Sequence, residues 1–386
     1  LPGVIEIYHL KISLVKGSLF IQNGLLTFVK FLLFKNKLLT KERILIFRTG
    51  SIGDAICALP AIVAIRDHFT TAQVHILSNA GNSSAKLVSM QRLLNPKYYD
   101  EFIDYNGYKP KELLKLLKRN QYDLVIELPQ SEVSFFSELR NMIFFRLAKI
   151  DSGWGWQVHT FFSFRQTQER WLTFPSETER LLSILRQNKI TIQDTGNYPL
   201  YLSEADRYRV DELIQKYFSG FTSRNQLVAL VPGAKRPQNR YPLNRFIELA
   251  GWLHSKGYRV AVVGGPEDIT YGEAIAIYPE VISFCGLLTP VQSAILLSRC
   301  FLTIANDTGP MHLSYAAGTP VIGIYSSRDF PQKWFPPQGN IALRNSHVHC
   351  SLCLSEACQN NICMQGIPIE EIKDAFVAIE KTIKRT

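Results

Sequence analysis

Several features that would settle the class of this chain early are missing from it. None of its 386 residues falls in an uninterrupted apolar run near the ~20 residues that span a bilayer, so a spanning helix does not organise it. No small-residue cleavage site follows the apolar block at the front, which makes a secretory leader a poor fit. Neither a G-x-G-x-x-G spacing nor a P-loop Lys-Ser/Thr is present, which argues against a dinucleotide oxidoreductase and a P-loop nucleotidase. Zinc-finger, RRM and KH patterns are absent as well, and no nucleic-acid partner is expected.

Acid is the scarcer charge. Asp and Glu number 33 against 43 Lys and Arg, a formal net charge of +10, which favours phosphates, nucleotides or an anionic membrane surface as partners. With 46% hydrophobic residues the chain is long enough for two α/β domains with substantial cores. Half of the charge excess lies at the front, where Lys11, Lys16, Lys30, Lys35, Lys37, Lys41 and Arg43 face only Glu6 and Glu42. There Leu and Phe blocks alternate with the cations. Two readings stand: a helix lying in a membrane interface, or a helix packed on the body of the protein.

Cysteine is used in two ways. Cys57, Cys285 and Cys300 fall in apolar elements and read as core thiols. Cys350, Cys353, Cys358 and Cys363 form a C-x2-C-x4-C-x4-C cluster with three open readings: a structural metal, a reduced thiol group, or disulfides. A reducing cytoplasm, the expected compartment, disfavours the last.

From Arg43 onward, short apolar runs alternate with helical stretches. Ile44 to Phe47, Val74 to Leu77 and Leu124 to Glu127 read as strands, Ala55 to His68 and Lys111 to Arg119 as helices, with a kink expected at Pro60. Residues 151–205 look less regular. The pattern restarts with a helix at Asp206 to Tyr217, a strand at Leu227 to Val231 and a helix at Leu243 to Lys256. A strand at Arg259 to Val263 follows, then a helix at Pro290 to Ser298, strands at Phe301 to Ile304 and Val321 to Tyr325, and a last helix at Ile369 to Lys384. Such alternation predicts parallel sheets covered on both faces, with ligand in a cleft beyond the strand ends.

Three turns carry candidate chemistry. In Arg48 to Asp54, RTGSIGD, the glycines Gly50 and Gly53 and Ser51 lead into a helix. Asp54 is either a first-turn acid on the helix dipole or a general base. The loop Val231 to Pro242 offers Lys235, Arg236 and Arg240, which are a solvated basic loop or the neutralising charges of a leaving diphosphate. In Ala305 to Tyr325, Asp307 or Thr308 can cap a helix, Gly309 allows close backbone approach and Pro310 suits the first helical turn. The free N–H groups of such a start form an anion site. Gly264 to Asp268 adds a tight turn with two carboxylates.

Together these segments resemble glycosyltransferase family 9, the bacterial heptosyltransferase-type enzymes of lipopolysaccharide assembly. The resemblance runs from about Arg43 to the C-terminus on RTGSIGDAICALPA, PGAKRPQNRYPLNRF, GGPED, NDTGPMHLSYAAGTPVIGIYSSRDFPQKWFP and the cysteine tail. The last two are more like the O-antigen-cluster branch. It implies a GT-B fold: two Rossmann-like domains with parallel sheets facing across a cleft. Residues 1–40 would be a basic amphipathic extension, 41–205 the acceptor domain, 206–365 the donor domain and 366–386 a C-terminal helix.

The resemblance further implies inverting, metal-independent transfer of a heptose or similar sugar from a nucleotide sugar to a lipopolysaccharide or lipid-linked glycan. The enzyme would work at the inner face of the cytoplasmic membrane with no catalytic cofactor. Asp54 would be the base. Asp307, Thr308, Gly309, Met311 and His312 would form the donor turn, and Glu267 would stand near the nucleoside. Where many members carry Lys before the Arg/His-Trp-Pro of the second motif, this chain has Asn239-Arg240-Tyr241-Pro242, which leaves the donor open. The rival from another class is a catalytically silent nucleotide-sugar or glycan-binding protein of the same fold.

Overall fold

The computed structural model describes residues 18, 20–35, 42–79, 90–131, 133–158, 175–192, 196, 198–353, 355 and 357–383. Lys11, Lys16, Lys37 and Lys41 of the basic front lie outside the described residues, so the expectation for residues 1–40 is read from 20–35 alone.

Helix α1 covers residues 20–33. After it come β1 (Arg43–Phe47), α2 (Ile52–His68), β2 (Gln73–Ser78), the single turn α3 (Met90–Leu93), β3 (Glu101–Asp104) and α4 (Pro110–Asn120). The half closes with β4 (Leu124–Glu127), α5 (Phe135–Leu147) and β5 (Ser152–Trp154). These strands form one sheet in the order β3-β2-β1-β4-β5. Every pairing in it is parallel, in registers such as Phe47 with Leu77 and Phe47 with Glu127.

Helices α6 (Glu177–Gln187) and α7 (Glu204–Tyr217) lead to the second half. It runs β6 (Leu227–Val231), α8 (Leu243–Ser255), β7 (Arg259–Val262), α9 (Ile269–Ile275), β8 (Val281–Ser283), α10 (Pro290–Ser298) and β9 (Leu302–Asn306). Then come α11 (Gly309–Ala316), β10 (Val321–Tyr325), β11 (Ile341–Arg344), the one-turn α12 (Ile362–Gln365) and α13 (Ile369–Ile383). The second sheet is also parallel, in the order β11-β10-β9-β6-β7-β8.

Every residue of β6, β9 and β10 is buried, as strands covered by helices on both faces must be. In each sheet the order reverses once, between β1 and β4 and between β6 and β9. At these switch points the connections leave in opposite directions and open a crevice at the carboxyl ends of the strands.

Alternation along the strands sets the layers. Ile44 and Ile46 face α2 and α6, in a core that continues through α7, α10 and α11 to Leu227, Ala229 and Val231 of the second sheet. On the outer side Leu45 and Val125 pack under α1, α4 and α5. Val228, Leu230 and Val260 pack under α8 and α13. The inner helices of the two halves therefore touch each other.

The expected elements recur with ends shifted by at most two residues, except α2, which begins three residues before Ala55. It also runs without a break through Pro60. The stretch 151–205, expected to be less regular, contains β5 and α6. Cys57, Cys285 and Cys300 are buried free thiols, as expected. Helix α1 packs on the body of the protein through Leu26, buried in the outer core, and leaves Phe20, Ile21, Leu25, Phe28, Phe31 and Leu32 exposed.

Candidate active site

The first switch point is built around Asp54. Leaving β1, the chain turns at Gly50, whose φ is +143° and where a Cβ would stand 2.4 Å from the Asp54 Cβ, so only glycine fits. Asn79 clamps the turn, accepting from the Gly50 N–H at 2.9 Å and donating to its carbonyl at 3.0 Å. Asp54 Oδ2 accepts from the Ser51 N–H at 2.9 Å and the Ser51 hydroxyl at 2.8 Å, while Oδ1 accepts from Arg48 Nη2 at 3.2 Å. The carboxylate is thus a first-turn acid closing the start of α2, and its side chain still keeps 17% of its surface open.

A buried ionic cluster braces this turn from behind. Arg48 Nη1 donates to the carbonyls of Leu128 (3.0 Å) and Pro129 (2.7 Å), and its Nη2 reaches Glu177 Oε1 at 3.1 Å. Arg180 donates to both oxygens of Glu177, at 2.8 and 2.7 Å, and to the Pro129 carbonyl. Burial alone would push Glu177 up, but Arg180 and Arg48 outweigh it and hold the carboxyl at about 2. The sequence reading assigned no role to Glu177 or Arg180. The one available signal was Arg48, a cation directly after a buried strand.

The second switch point holds Asp307. Helix α11 starts at Gly309 with Thr308 at its N-cap and Pro310 in its first turn, but no side chain caps it. The expected capping by Asp307 or Thr308 is therefore not made, and the Asp307 carboxyl is engaged elsewhere. Asn239 Nδ2 donates to Asp307 Oδ2 at 3.2 Å, and Asn239 Oδ1 accepts from the Ser326 hydroxyl at 2.7 Å. A neutral amide thus stands where the family resemblance led to a Lys. Burial, with Asp329 adding to it, pushes Asp307 up to about 7, while Lys333, Arg236 and Arg328 pull it down.

The cationic rim differs from the expected set. Arg236 lies near Asp307. Lys235 is exposed, and Arg240 turns aside, donating to the Ala234 carbonyl at 3.0 Å and lying over the Tyr271 ring. Buried Arg328 and Lys333, from the loop after β10, join Arg236. Lys333 also pairs with Asp329 at 3.1 Å, and its carbonyl accepts from the Glu177 N–H at 2.9 Å, tying the loop after β10 to α6.

The two turns meet through α2 and α11. A Cβ on Gly53 would stand 2.9 Å from His312 Cδ2, and one on Gly309 3.2 Å from Ile52. His312 Nδ1 lies 2.8 Å from the Tyr315 hydroxyl and 3.9 Å from Cys57 Sγ. Burial lowers His312 to about 4, which favours the neutral ring at this contact between the halves.

A family profile described as "Glycosyltransferase family 9 (heptosyltransferase)" matches residues 111–363. The chain belongs to that family. Among curated relatives, "Lipooligosaccharide heptosyltransferase 2" of Haemophilus influenzae is 28% identical over 221 residues, which cover 54% of this chain and 61% of that relative. Two solved structures share the fold. One is a family-9 glycosyl transferase of Veillonella parvula (TM-score 0.67, 21% identity, covering 88% of this chain and 97% of that one). The other is the ADP-heptose lps heptosyltransferase II of E. coli (TM-score 0.63, 20% identity, 89% and 99%).

Within this family-9 fold, a two-domain GT-B architecture, the turn of Gly50, Ser51, Gly53 and Asp54 and the turn of Asp307, Thr308 and Gly309 come together where α2 packs against α11. Met311 is buried, its sulfur accepting from the Tyr325 hydroxyl, so its side chain serves the core. Glu267 is exposed beyond β7, whereas Asp268 turns inward to accept from the Gly265 N–H at 3.0 Å. Cys350, Cys353, Cys358 and Cys363 are free, and the other three thiols add to the burial that pushes Cys350 up. Among the described residues no group of three or more His, Cys, Asp or Glu is arranged to hold a metal ion.

Proposed function

We propose that this family-9 chain is an inverting glycosyltransferase. It moves a sugar, heptose or similar, from a nucleoside diphosphate donor to a lipopolysaccharide-type or lipid-linked glycan. The observation that carries the reading is the pairing of two turns at the two switch points, one with Asp54 and one with Asp307, joined through α2 and α11. Asp54 takes the proton from the acceptor hydroxyl. The hydroxyl oxygen bonds to the anomeric carbon opposite the diphosphate, the old C–O bond breaks, and the electron pair leaves with the nucleoside diphosphate. Arg236, Arg328 and Lys333, with the uncapped start of α11, meet the charge that grows there without a metal.

In the same reading residues 41–205 hold the acceptor, 206–365 the donor, and 366–386 close the donor half. The chain is placed at the cytoplasmic membrane face, in O-antigen or core assembly. Supporting this, α1 exposes six apolar residues and α5 exposes Phe136, Ile143 and Leu147 on the same outer side of the first sheet. No helix of the described residues is long and apolar enough to cross a membrane, so the contact would be peripheral. Flotation with anionic vesicles, with and without residues 1–35, tests it.

The deciding experiment is a screen of nucleotide sugars by thermal shift, led by the ADP-heptose named for the E. coli relative, followed by transfer assays. Asp54→Ala should end turnover while donor affinity persists; retained turnover would remove Asp54 as base. Donor binding by the wild type with neither transfer nor hydrolysis would select the silent binding protein instead.

A further inference from the structure

On the outer side of the first switch point, between α5 and the carboxyl ends of β1 and β4, lies a cavity of about 280 Å³. Phe47, Thr49, Glu127, Ser137, Asn141 and Phe144 are among its walls. Thr49 adjoins Gly50, so the cavity begins beside the turn that carries Asp54. Glu127 is 2% exposed, its Oε1 accepts from Asn141 Nδ2 at 2.8 Å, and its Oε2 is buried with no hydrogen-bond partner. The Trp156 indole N–H stands near this carboxyl without reaching hydrogen-bond geometry.

An unpartnered buried oxygen is costly unless something arrives to pair with it. Burial, reinforced by neighbouring Glu138, raises Glu127 well above the ordinary range and so favours the protonated form, which can donate as well as accept. Arg140 Nη2 extends the polar side by donating to Asn141 Oδ1 at 3.3 Å. The facing walls are aromatic and aliphatic.

We infer that this cavity seats one uncharged sugar ring of the acceptor, with Glu127 and Asn141 hydrogen-bonding its hydroxyls and Phe47 and Phe144 covering its apolar face. An acyl chain fits worse, because it would strand Glu127, Asn141, Thr49 and Ser137 without partners. An anionic sugar fits worse as well, because its charge would be desolvated among aromatic and aliphatic walls, where the lining cation Arg140 is exposed to solvent and already donates to Asn141. The position accords with ligand binding beyond strand ends at a switch point. The inference rests on the transfer reading for calling the ring an acceptor, but not for the binding itself.

The test is saturation-transfer NMR on the whole chain with methyl glycosides of glucose, galactose, mannose and a heptose, and with methyl glucuronide as the charged control. At least one neutral glycoside should show transfer and the glucuronide should not. Ser137→Phe fills the cavity from a half-buried position, and Glu127→Leu removes the hydrogen-bonding acid without leaving a buried charge. Each should weaken glycoside binding by about tenfold or more, with Tm not lowered in Glu127→Leu. Glu127→Gln, which keeps a donor there, should restore binding. The inference is overturned if no neutral glycoside binds, if Ser137→Phe binds equally well, or if the glucuronide is preferred. Wild-type glycoside binding without sugar transfer would sink the transfer reading and leave the cavity assignment standing. Transfer with unchanged acceptor KM in Ser137→Phe would do the reverse.

Discussion

The two turns that face each other across the cleft are built on opposite principles. Around Asp54 both carboxylate oxygens are engaged, the glycine turn is clamped by Asn79, and Arg48, Glu177 and Arg180 form a fully buried brace behind it. Around Asp307 there is one neutral amide partner, a helix start with no side-chain cap, and a carboxyl raised to about 7. The first turn is finished before any substrate arrives, as a group that must meet a hydroxyl in one geometry should be. The second is short of partners that a polyhydroxylated, doubly charged ligand would supply. If the proposed function holds, preorganisation belongs to the acceptor side, and the donor side is the one a ligand would complete.

The largest expected effect separates the two acids. Asp54→Asn should lower kcat by about 10²–10⁴ with donor Kd little changed, whereas Asp307→Asn should act chiefly on donor Kd; rapid-quench assays and calorimetry tell them apart. Equal effects on both quantities would erase the contrast.

Next in size is the brace. Arg180→Met leaves Glu177 buried beside Arg48 alone and should cost about 3–5 kcal/mol in urea unfolding. Because Glu177 is held down at about 2, the stability it lends is complete above the ordinary Glu value of 4.5. It is lost as pH falls from there toward 2. Wild-type acid unfolding should therefore be steep in that window and shallower in a Glu177→Gln, Arg180→Met pair.

For Asp307 the sign is opposite. Asp307 binds its proton more tightly folded than unfolded, so between the ordinary Asp value of 3.8 and about 7 stability falls as pH rises. If the ionised form takes the sugar hydroxyls, donor affinity should weaken about tenfold per pH unit below 7. Asn239→Lys puts a cation beside Asp307 and should move that acid limb to lower pH; an unmoved limb would assign it to another group. The smallest effect belongs to the contact between the halves. Gly53→Ala, pressed against His312, should cost about 1–2 kcal/mol.

Most of the scaffold was legible because its strands are short apolar runs that nothing but a covered parallel sheet would bury. Where legibility failed, the reasons are physical. Helix α5 has no apolar stripe to detect, since Phe136, Ile143 and Leu147 are exposed opposite its buried face. Strands β3 and β5 lie at the sheet edge and are short and partly polar. The Asp54 and Asp307 turns could be found because each concentrates turn residues at a helix start. Their supporting charges could not, because Glu177 reaches Arg48 from well over a hundred positions along the chain and brings its own partner Arg180 with it, and spacing carries no trace of such a meeting. Arg328 and Lys333 were visible in the sequence as residues of a signature, yet only the fold turns them toward Asp307.

Cys57 sits where α2 meets α11, its thiol near His312 and Tyr315 and pushed up to about 12, chiefly by burial. A thiol so placed is shielded and almost wholly protonated while the halves are together, and alkylating reagents act on the thiolate. It is therefore a native clock for interdomain breathing. The time course of its carbamidomethylation, followed by peptide mass spectrometry against the exposed Cys353 as an internal standard, reports how often the cleft parts. A donor that bridges the halves should slow that clock without touching the residue.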